Sequence, residues 1–386
     1  MRAEDHTSLT IKVVTRDRPS TLQRAIEQLF IDLQGSRLKA VVLVVDDSTG
    51  VQQRFANRSL LVDLADTYNC MVYYGGREEY TQLLDRLNEK ISQWLLNVVG
   101  QLGDVDYCPS RPRNIASLFN VGSEYELLLD DDILLDPKAL CKQSIVQIAV
   151  SESKRFNAFV SVALKGIIDK SIDHLFELCR IQETKRKAHP WTTRKDNAQF
   201  NLSGGFLVHP SLEKPTIFPR IYNEDFLWIG YCLAEQKRLP RELSLEVYHY
   251  PDKLKVFSLE RLIYEAKGEI LNAAFNTMNA DDMLAFYLPP RDVVQSLISE
   301  YRDYIVMLYS LVDEREWAHT PAEQSITVPD AAQCIEILKR FSTYLSEIRF
   351  ETMSKFLQDW SSQISQWPEI VDAIGRDHWQ VLIHDF

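Results

Sequence analysis

Three consecutive carboxylates, Asp130, Asp131 and Asp132, interrupt an apolar run that extends from Tyr125 to Pro137. Neighbouring carboxylates repel one another, and their burial without a partner costs several kcal/mol. Either the run reaches the surface at this point, or a cation lies among the oxygens. Such oxygens suit Mg²⁺ or Mn²⁺, which proteins usually bind through one or two carboxylates together with substrate phosphates. The alternative is a solvated turn in which Asp136 caps a following helix.

Polar residues also end two other predicted strands. The first strand ends in Thr15 and Arg16, and the second strand, apolar on both faces, ends in Asp46 and Asp47. In an open parallel sheet, ligands bind outside the carboxyl ends of the strands. These residues and the acidic triplet are therefore expected at one ligand-binding edge.

The elements that must position these residues follow an alternation of strand and helix. This alternation predicts an α/β fold of the Rossmann-like type, with a mostly parallel sheet and helices on both faces. Within it, Ser20 to Gln23 is expected to form a capping box at the start of a helix. The apolar spacing from Leu83 to Val98 predicts one long amphipathic helix.

The pattern becomes helical from Ser258 onward, which predicts a second, all-helical region. We expect a first domain over residues 1–255 and a helical domain over residues 256–386. The apolar and aromatic stripe around Tyr301 to Tyr309 is typical of a core or of a surface between two copies of the chain. We expect these helices either to bind a substrate or to form a homo-oligomer.

Bulk composition restricts the classes of function. The chain has 386 residues and a net charge of −12, which argues against nucleic acid or an anionic membrane as a constitutive partner. No apolar run approaches the ~20 residues that span a bilayer, and the first residues do not resemble a signal peptide. The six cysteines form no CxxC pair, so a reducing cytoplasm is the expected setting.

Several short motifs, taken in their order, resemble the GT-A fold glycosyltransferases, in particular family 2-like nucleotide-sugar transferases. The resemblance covers roughly residues 8–250. The motifs that carry it are Val14 to Pro19, Val44 to Ser48, Arg113-Asn114, Leu128 to Asp132, Gly204-Gly205 and Asn223 to Asp225.

The resemblance implies a nucleotide-sugar donor and assigns residues to its pocket. The base would be held at the ends of the first two strands, and the diphosphate would meet an Arg-Asn pair, since a guanidinium presents paired donors to phosphate oxygens. The residues so assigned are Thr15, Arg16, Asp46 or Asp47, Arg113, Asn114, Asp130, Asp131, Gly204 and Gly205. The alternatives are a surface role for Arg113 and a simple strand bulge at the two glycines.

The same resemblance implies a divalent ion, Mn²⁺ or Mg²⁺. Asp130 and Asp132 fit the family's Asp-x-Asp pattern, although a register through Asp131 and Asp132 stays open. Some members complete the metal sphere with a late histidine, here His249, whose alternative is a structural role. Asp132, Asp130 and His249 are therefore the expected metal ligands.

Asn223-Glu224-Asp225 resembles the family's catalytic acidic motif. Its last acid, Asp225, would take the proton of an acceptor hydroxyl in an inverting, single displacement, with Glu224 beside it. Acids in the first turn of a helix also stabilise the helix dipole, which is the alternative explanation. A basic segment around residues 185–195 could close over the diphosphate or attract an anionic acceptor, and Trp191 in it could stack on a sugar face; the alternative is a solvated loop.

The expected function is therefore transfer of a sugar from a nucleotide-sugar donor, UDP-linked by preference, to an unidentified hydroxyl acceptor. A Mg²⁺-dependent nucleotidyltransferase is the first alternative, but the segment after the first strand lacks the glycine-rich loop typical of that class. A non-catalytic binding or scaffold protein on a degenerate transferase fold is the second.

Overall fold

A computed structural model of the chain describes most of the sequence. The described residues are 7–104, 108–119, 122–135, 143–166, 171–172, 202, 204–214, 216–250, 257–278, 289–313, 331–379 and 384–385. Asp136 and the basic segment around residues 185–195 lie outside these ranges. Among the described helices, none has the length and apolar character needed to cross a membrane.

Nine strands in the described residues form one sheet, in the order β5-β8-β6-β7-β4-β1-β2-β3-β9. The strands are β1 (Ser8–Thr15), β2 (Lys39–Asp46), β3 (Met71–Gly75), β4 (Tyr125–Asp130), β5 (Ile133–Leu135), β6 (Phe159–Gly166), β7 (Phe206–Pro210), β8 (Pro240–His249) and β9 (His384–Asp385). The neighbours β4, β1, β2 and β3 are parallel, and so are β6 and β8. The β4–β7, β6–β7, β5–β8 and β3–β9 pairs are antiparallel, so the complete sheet is mixed.

The helices connect the strands and then continue as a C-terminal helical region. They are α1 (Pro19–Gln34), α2 (Val51–Tyr68), α3 (Arg77–Arg86), α4 (Glu89–Val98), α5 (Ser110–Ser117), α6 (Ile145–Phe156), α7 (Glu224–Gln236), α8 (Leu259–Asn276), α9 (Arg291–Asp313), α10 (Ala331–Glu347) and α11 (Phe350–Trp379). The predicted α/β class with a helical C-terminal region is thus confirmed, in the layout expected of a GT-A-like fold.

Two local predictions were wrong. The helix α1 begins at Pro19, after an N-cap Arg18 that makes no side-chain cap hydrogen bond, so Ser20 lies inside the helix and not at a capping box. The single helix expected from Leu83 to Val98 is divided into α3 and α4. The division falls at Asn88, whose side chain accepts a hydrogen bond from the Ile91 backbone and so begins a new helix.

Helices cover both faces of the sheet, because successive buried side chains of β2 pack in two different hydrophobic clusters. Val42 and Val44 pack in one hydrophobic cluster with α1, α2 and α6. Leu43 and Val45 belong to a second cluster, which contains residues of α3, α4 and α5 and extends through α8, α9, α10 and α11. The C-terminal helices therefore share a core with one face of the sheet. The two clusters fix the strand ends that carry the candidate site.

Candidate active site

The polar strand ends predicted from the sequence lie side by side. The strand β1 is paired with both β2 and β4, with Thr15 opposite Asp46 and Val14 opposite Asp130. All three strands run parallel, so their carboxyl ends lie at the same edge of the sheet. This edge is the candidate active site.

The acidic triplet at the end of β4 is largely buried and is held by neighbouring side chains. The Thr15 hydroxyl donates a hydrogen bond to Asp131 Oδ2 at 2.5 Å. Arg18 donates from Nη2 to Asp131 Oδ1 at 2.5 Å and from Nη1 to Asp132 Oδ2 at 2.8 Å. Asp131 is 0% exposed and Asp132 5%, whereas the Asp130 side chain is 25% exposed. The triplet is thus not the solvated turn of the alternative explanation.

Burial and neighbouring charges shift the pKa values of the three carboxyl groups of the triplet. Burial raises the pKa of Asp131 to about 7, with the Asp132 and Asp130 charges adding to the shift and Arg18 opposing it. Burial also raises the pKa of Asp130, against the attraction of Arg113. Burial alone would raise the pKa of Asp132 too, but His249 and Arg18 together lower it to about 2. Asp132 is therefore the member of the triplet that stays ionised most readily.

The site contains more carboxyl groups than basic side chains. The Asp130 side chain accepts a hydrogen bond from Arg113 Nη2 at 2.6 Å, and Arg113 Nη1 also forms an ion pair with Glu224. Five carboxylates therefore gather around the Arg18 and Arg113 guanidinium groups. They are Asp130, Asp131, Asp132, Glu224 and Asp225. An excess of carboxylates in a buried site favours the binding of a further cation.

One oxygen of Asp132 is suited to that cation. Asp132 Oδ1 is buried and has no hydrogen-bond partner among the described residues. His249, at the end of β8, lies with Nε2 3.5 Å from this oxygen, because the pairing of β8 with β5 puts His249 opposite Ile133. A carboxylate oxygen and an imidazole nitrogen are both donors that Mn²⁺ accepts. The residues present therefore fit a divalent ion.

The described residues do not form a complete metal cage by themselves. No group of three or more His, Cys, Asp or Glu side chains in these parts of the chain is arranged to hold a metal ion. A site with one or two protein ligands is the usual arrangement where substrate phosphates and water supply the rest of the coordination. The geometry thus suits an ion that binds together with a phosphate-containing ligand.

Asp225 is held next to the acidic triplet by a glycine. The Gly204 backbone N–H donates to Asp225 Oδ2 at 2.9 Å, and the Gly205 carbonyl accepts a hydrogen bond from the Asp130 backbone N–H at 3.0 Å. A Cβ atom on Gly204 would lie 2.4 Å from the Asp225 Cβ, so glycine is required by the close approach. The two glycines lie just before β7, and α7 begins at Glu224 after a left-handed Asn223.

The remaining predicted residues are bonded inside the protein. Asp46 is 0% exposed and accepts hydrogen bonds from Ser48 N, Asn57 Nδ2 and Tyr74 OH at 2.8, 2.9 and 2.8 Å. The Asn114 side chain bonds both backbone groups of Phe218 at 2.6 and 3.0 Å. Asp46 and Asn114 were expected to contact a nucleotide, but the same side-chain groups form hydrogen bonds within the protein. These bonds hold the walls of the site in place.

Asp47 and Arg16 form a second charged group at this edge. Arg16 Nη1 donates to Asp47 Oδ2 at 2.8 Å, and Arg16 Nη2 donates to the Asp104 carbonyl at 2.7 Å. Asp47 Oδ1 accepts from Gly103 N at 2.7 Å, and both Asp47 oxygens lie 3.3 Å from Arg111 Nη1. Burial raises the pKa of Asp47 although both arginines attract its charge.

Two arginines of the site were not singled out from the sequence. Arg18 lies in the motif that also contains Arg16, and Arg111 precedes Arg113 by two residues. This proximity to a predicted site residue is the only indication of either role in the local sequence. Their side chains reach other strands: Arg18 binds the triplet 113 residues away, and Arg111 binds Asp47, 64 residues away. Such long-range pairs have no sequence pattern of their own.

Comparison with known proteins gives structural similarity only. The sequence matches no protein-family model, and it matches no curated protein. Among solved structures, TarS of S. aureus is similar at a TM-score of 0.38 and 13% identity, over 90% of this chain and 55% of the TarS chain. The chain thus corresponds to about half of the length of TarS.

Two further solved structures are similar over more of their own length. The mannosyltransferase PcManGT from Pyrobaculum calidifontis, solved with GDP-Man and Mn²⁺, has a TM-score of 0.44 and 11% identity, over 97% of this chain and 88% of its own. Mannosyl-3-phosphoglycerate synthase from Rubrobacter xylanophilus has a TM-score of 0.33 and 12% identity, over 64% of this chain and 68% of its own. At these scores the similarity does not define a function, which must be argued from the residues of the site.

Proposed function

We propose that the protein is a divalent-metal-dependent glycosyltransferase that moves a sugar from a nucleotide-sugar donor to a hydroxyl acceptor. The observation that carries the proposal is the convergence of separate chain segments on one sheet edge. There Asp225, held by Gly204, lies beside the acidic triplet, where carboxyl groups outnumber the basic side chains. This combination provides a place for a proton acceptor and a place for a metal–diphosphate pair.

The donor diphosphate is proposed to bind beside β4. Asp132 and His249 would hold Mn²⁺ or Mg²⁺, with Asp130 beside them and the diphosphate and water as the further ligands. The bound ion would neutralise the charge that develops on the departing nucleoside diphosphate. The buried Asp132 Oδ1, which accepts no hydrogen bond from Arg18, and His249 Nε2 at 3.5 Å from it support this assignment. Arg113 already neutralises Asp130 and Glu224, so it keeps these acids in place beside the diphosphate.

Asp225 is proposed as the catalytic base. The Gly204 N–H orients its carboxylate. The neighbouring Asp130 and Asp132 charges repel other anions from the site until the cation is bound. Asp225 would take the proton of the acceptor hydroxyl while the hydroxyl oxygen bonds to the anomeric carbon and the bond to the diphosphate breaks. A single displacement of this kind inverts the anomeric centre.

The base of the nucleotide is proposed to lie at the ends of β1 and β2. Thr15, Arg16 and Asp47 border this region, and the buried Asp46 supports it from below. A uracil base, and hence a UDP-sugar, remains the proposal for the donor. We further propose that residues 1–255 form the catalytic unit and that residues 256–386 serve acceptor binding or oligomerisation, in a cytoplasmic protein.

The proposal is tested with the isolated protein and UDP. We expect UDP with Mn²⁺ to raise the melting temperature and a UDP-sugar to be hydrolysed slowly in the presence of Mn²⁺. Asp132→Ala should abolish both effects, whereas Asp66→Ala, at an exposed position of α2, should change neither. Asp225→Asn should retain the thermal shift and lose turnover.

Four results would contradict the proposal or a part of it. If no nucleoside diphosphate or nucleotide sugar shifts the melting temperature in the presence of Mn²⁺, the proposed donor site is refuted. Equal loss of binding and turnover in Asp225→Asn would make Asp225 a structural residue. Release of pyrophosphate from a nucleoside triphosphate would instead favour the nucleotidyltransferase. A product with retained anomeric configuration would refute the single displacement alone.

A further inference from the structure

Arg18 occupies an unusual position between two of the three acids. Its guanidinium binds Asp131 Oδ1 through one nitrogen and Asp132 Oδ2 through the other, at 2.5 and 2.8 Å. Arg18 immediately precedes α1, which begins at Pro19, so the start of the helix fixes its backbone. The side chain is 22% exposed, so it borders the open side of the site.

This placement has an electrostatic consequence for any cation at Asp132. Arg18 takes Oδ2, so Oδ1 of the same carboxylate, 3.5 Å from His249 Nε2, is the oxygen left for a metal ion. Asp131 cannot replace it, because Thr15 and Arg18 bind its two oxygens. A divalent ion at Oδ1 would thus lie across one carboxylate from a guanidinium charge, in a buried site where like charges repel strongly.

We propose that Arg18 is a resident counter-ion that makes divalent-cation binding depend on the arrival of a diphosphate. The inference rests on the proposed function, since it concerns the same metal–diphosphate site. Without a ligand, Arg18 neutralises the acids and opposes the cation. A diphosphate attracts both the cation and the guanidinium, whose paired N–H donors match phosphate oxygens. By linkage, the cation and the diphosphate each strengthen the binding of the other.

The test measures Mn²⁺ binding directly, by the electron paramagnetic resonance signal of the free aqueous ion, with and without UDP. In the wild type, UDP should tighten Mn²⁺ binding about tenfold or more. Arg18→Gln should bind Mn²⁺ alone about tenfold more tightly than the wild type and lose most of the enhancement by UDP. Arg18→Lys keeps the charge and should resemble the wild type, as should Arg24→Gln, an exposed control on α1.

The alternative outcomes separate this inference from the proposed function. If Mn²⁺ and UDP bind to the wild type and Asp132→Ala abolishes Mn²⁺ binding, the metal site stands whatever Arg18 does. Unchanged or weaker Mn²⁺ binding by Arg18→Gln then overturns the counter-ion role alone and leaves Arg18 as a structural clamp. If Arg18→Lys behaves like Arg18→Gln, the paired N–H donors of the guanidinium and not its charge determine Mn²⁺ binding, and the inference is again wrong. Absence of Mn²⁺ binding by the wild type, with and without UDP, overturns both.

Discussion

Gly204→Ala is the substitution for which the structure gives the sharpest expectation. The new Cβ would lie 2.4 Å from the Cβ of Asp225 and 2.8 Å from its Oδ2. Carbon atoms in ordinary contact are about 3.5 Å apart, so Asp225 must retreat by about 1 Å. The retreat also stretches the 2.9 Å hydrogen bond from the Gly204 N–H, which orients the carboxylate.

The expected cost follows from this displacement. A misplacement of about 1 Å at a reacting group lowers a rate about 100-fold, which corresponds to roughly 2.7 kcal/mol in the activation barrier. Binding of UDP and Mn²⁺ should change little, because the new Cβ collides with Asp225 and not with Thr15 in β1 or Asp132 in the turn between β4 and β5. The assay is Mn²⁺-dependent hydrolysis of a UDP-sugar, combined with a thermal shift for UDP.

The matched control is Gly35→Ala. Gly35 ends α1 with φ of −86°, and its nearest new contact is the Asp32 carbonyl at 3.9 Å, so an alanine fits there without strain. A double variant with Asp225→Asn completes the design, because the effect of Gly204→Ala should nearly vanish once the base is absent. Activity of Gly204→Ala close to that of the wild type, or a full additional loss in the double variant, would refute the reasoning.

Two further substitutions test other parts of the structure. Gly268→Ala in α8 would put a Cβ 1.8 Å from the Tyr222 carbonyl oxygen. We expect this variant to have both a lower melting temperature and a lower turnover. An unchanged turnover would show that α8 does not position the turn that precedes the proposed base Asp225. Glu126→Gln leaves Lys12, 4% exposed, without its 2.9 Å ion-pair partner, at an expected cost of about 3 kcal/mol in the free energy of unfolding near neutral pH. Burial would raise the pKa of Glu126, but Lys12 and His209 lower it, so the ionised carboxylate stabilises the fold above its ordinary pKa of 4.5. That contribution is lost as the pH falls through the lowered value, and the difference in stability between wild type and Glu126→Gln, measured by urea unfolding, should shrink at low pH; a constant difference would contradict the assignment.

The sequence was most informative where a residue's position depends on its own strand. Thr15, Asp46 and Asp130 were expected at one edge because each ends a buried strand, and parallel pairing then brings them together. The start of α1 was misjudged because Pro19 is better suited than Ser20 to the first helical positions. Local preference thus specified the elements but not every boundary.

Contacts between distant segments could not be predicted in the same way. Asn114 is bonded to Phe218, 104 residues away, although the family resemblance implied a ligand contact. Arg18 reaches the triplet across a similar separation. Long polar side chains have several partners within reach at a strand end, and the choice among them depends on the final packing. A sequence therefore indicates which residues gather at a site more readily than which atoms they bond.

The position of Asp225 depends on the C-terminal helices as well as on the sheet. Asn223, in the left-handed conformation before α7, donates from Nδ2 to Glu269 of α8 at 3.2 Å. Tyr222 contacts the ring of Tyr264, also in α8, and its carbonyl lies against Gly268, where any side chain would collide. The turn that presents Asp225 is thus held by Gly204 on one side and by α8 on the other. Because α8 shares its hydrophobic cluster with α9, α10 and α11, the C-terminal helices contribute to the support of the proposed catalytic base.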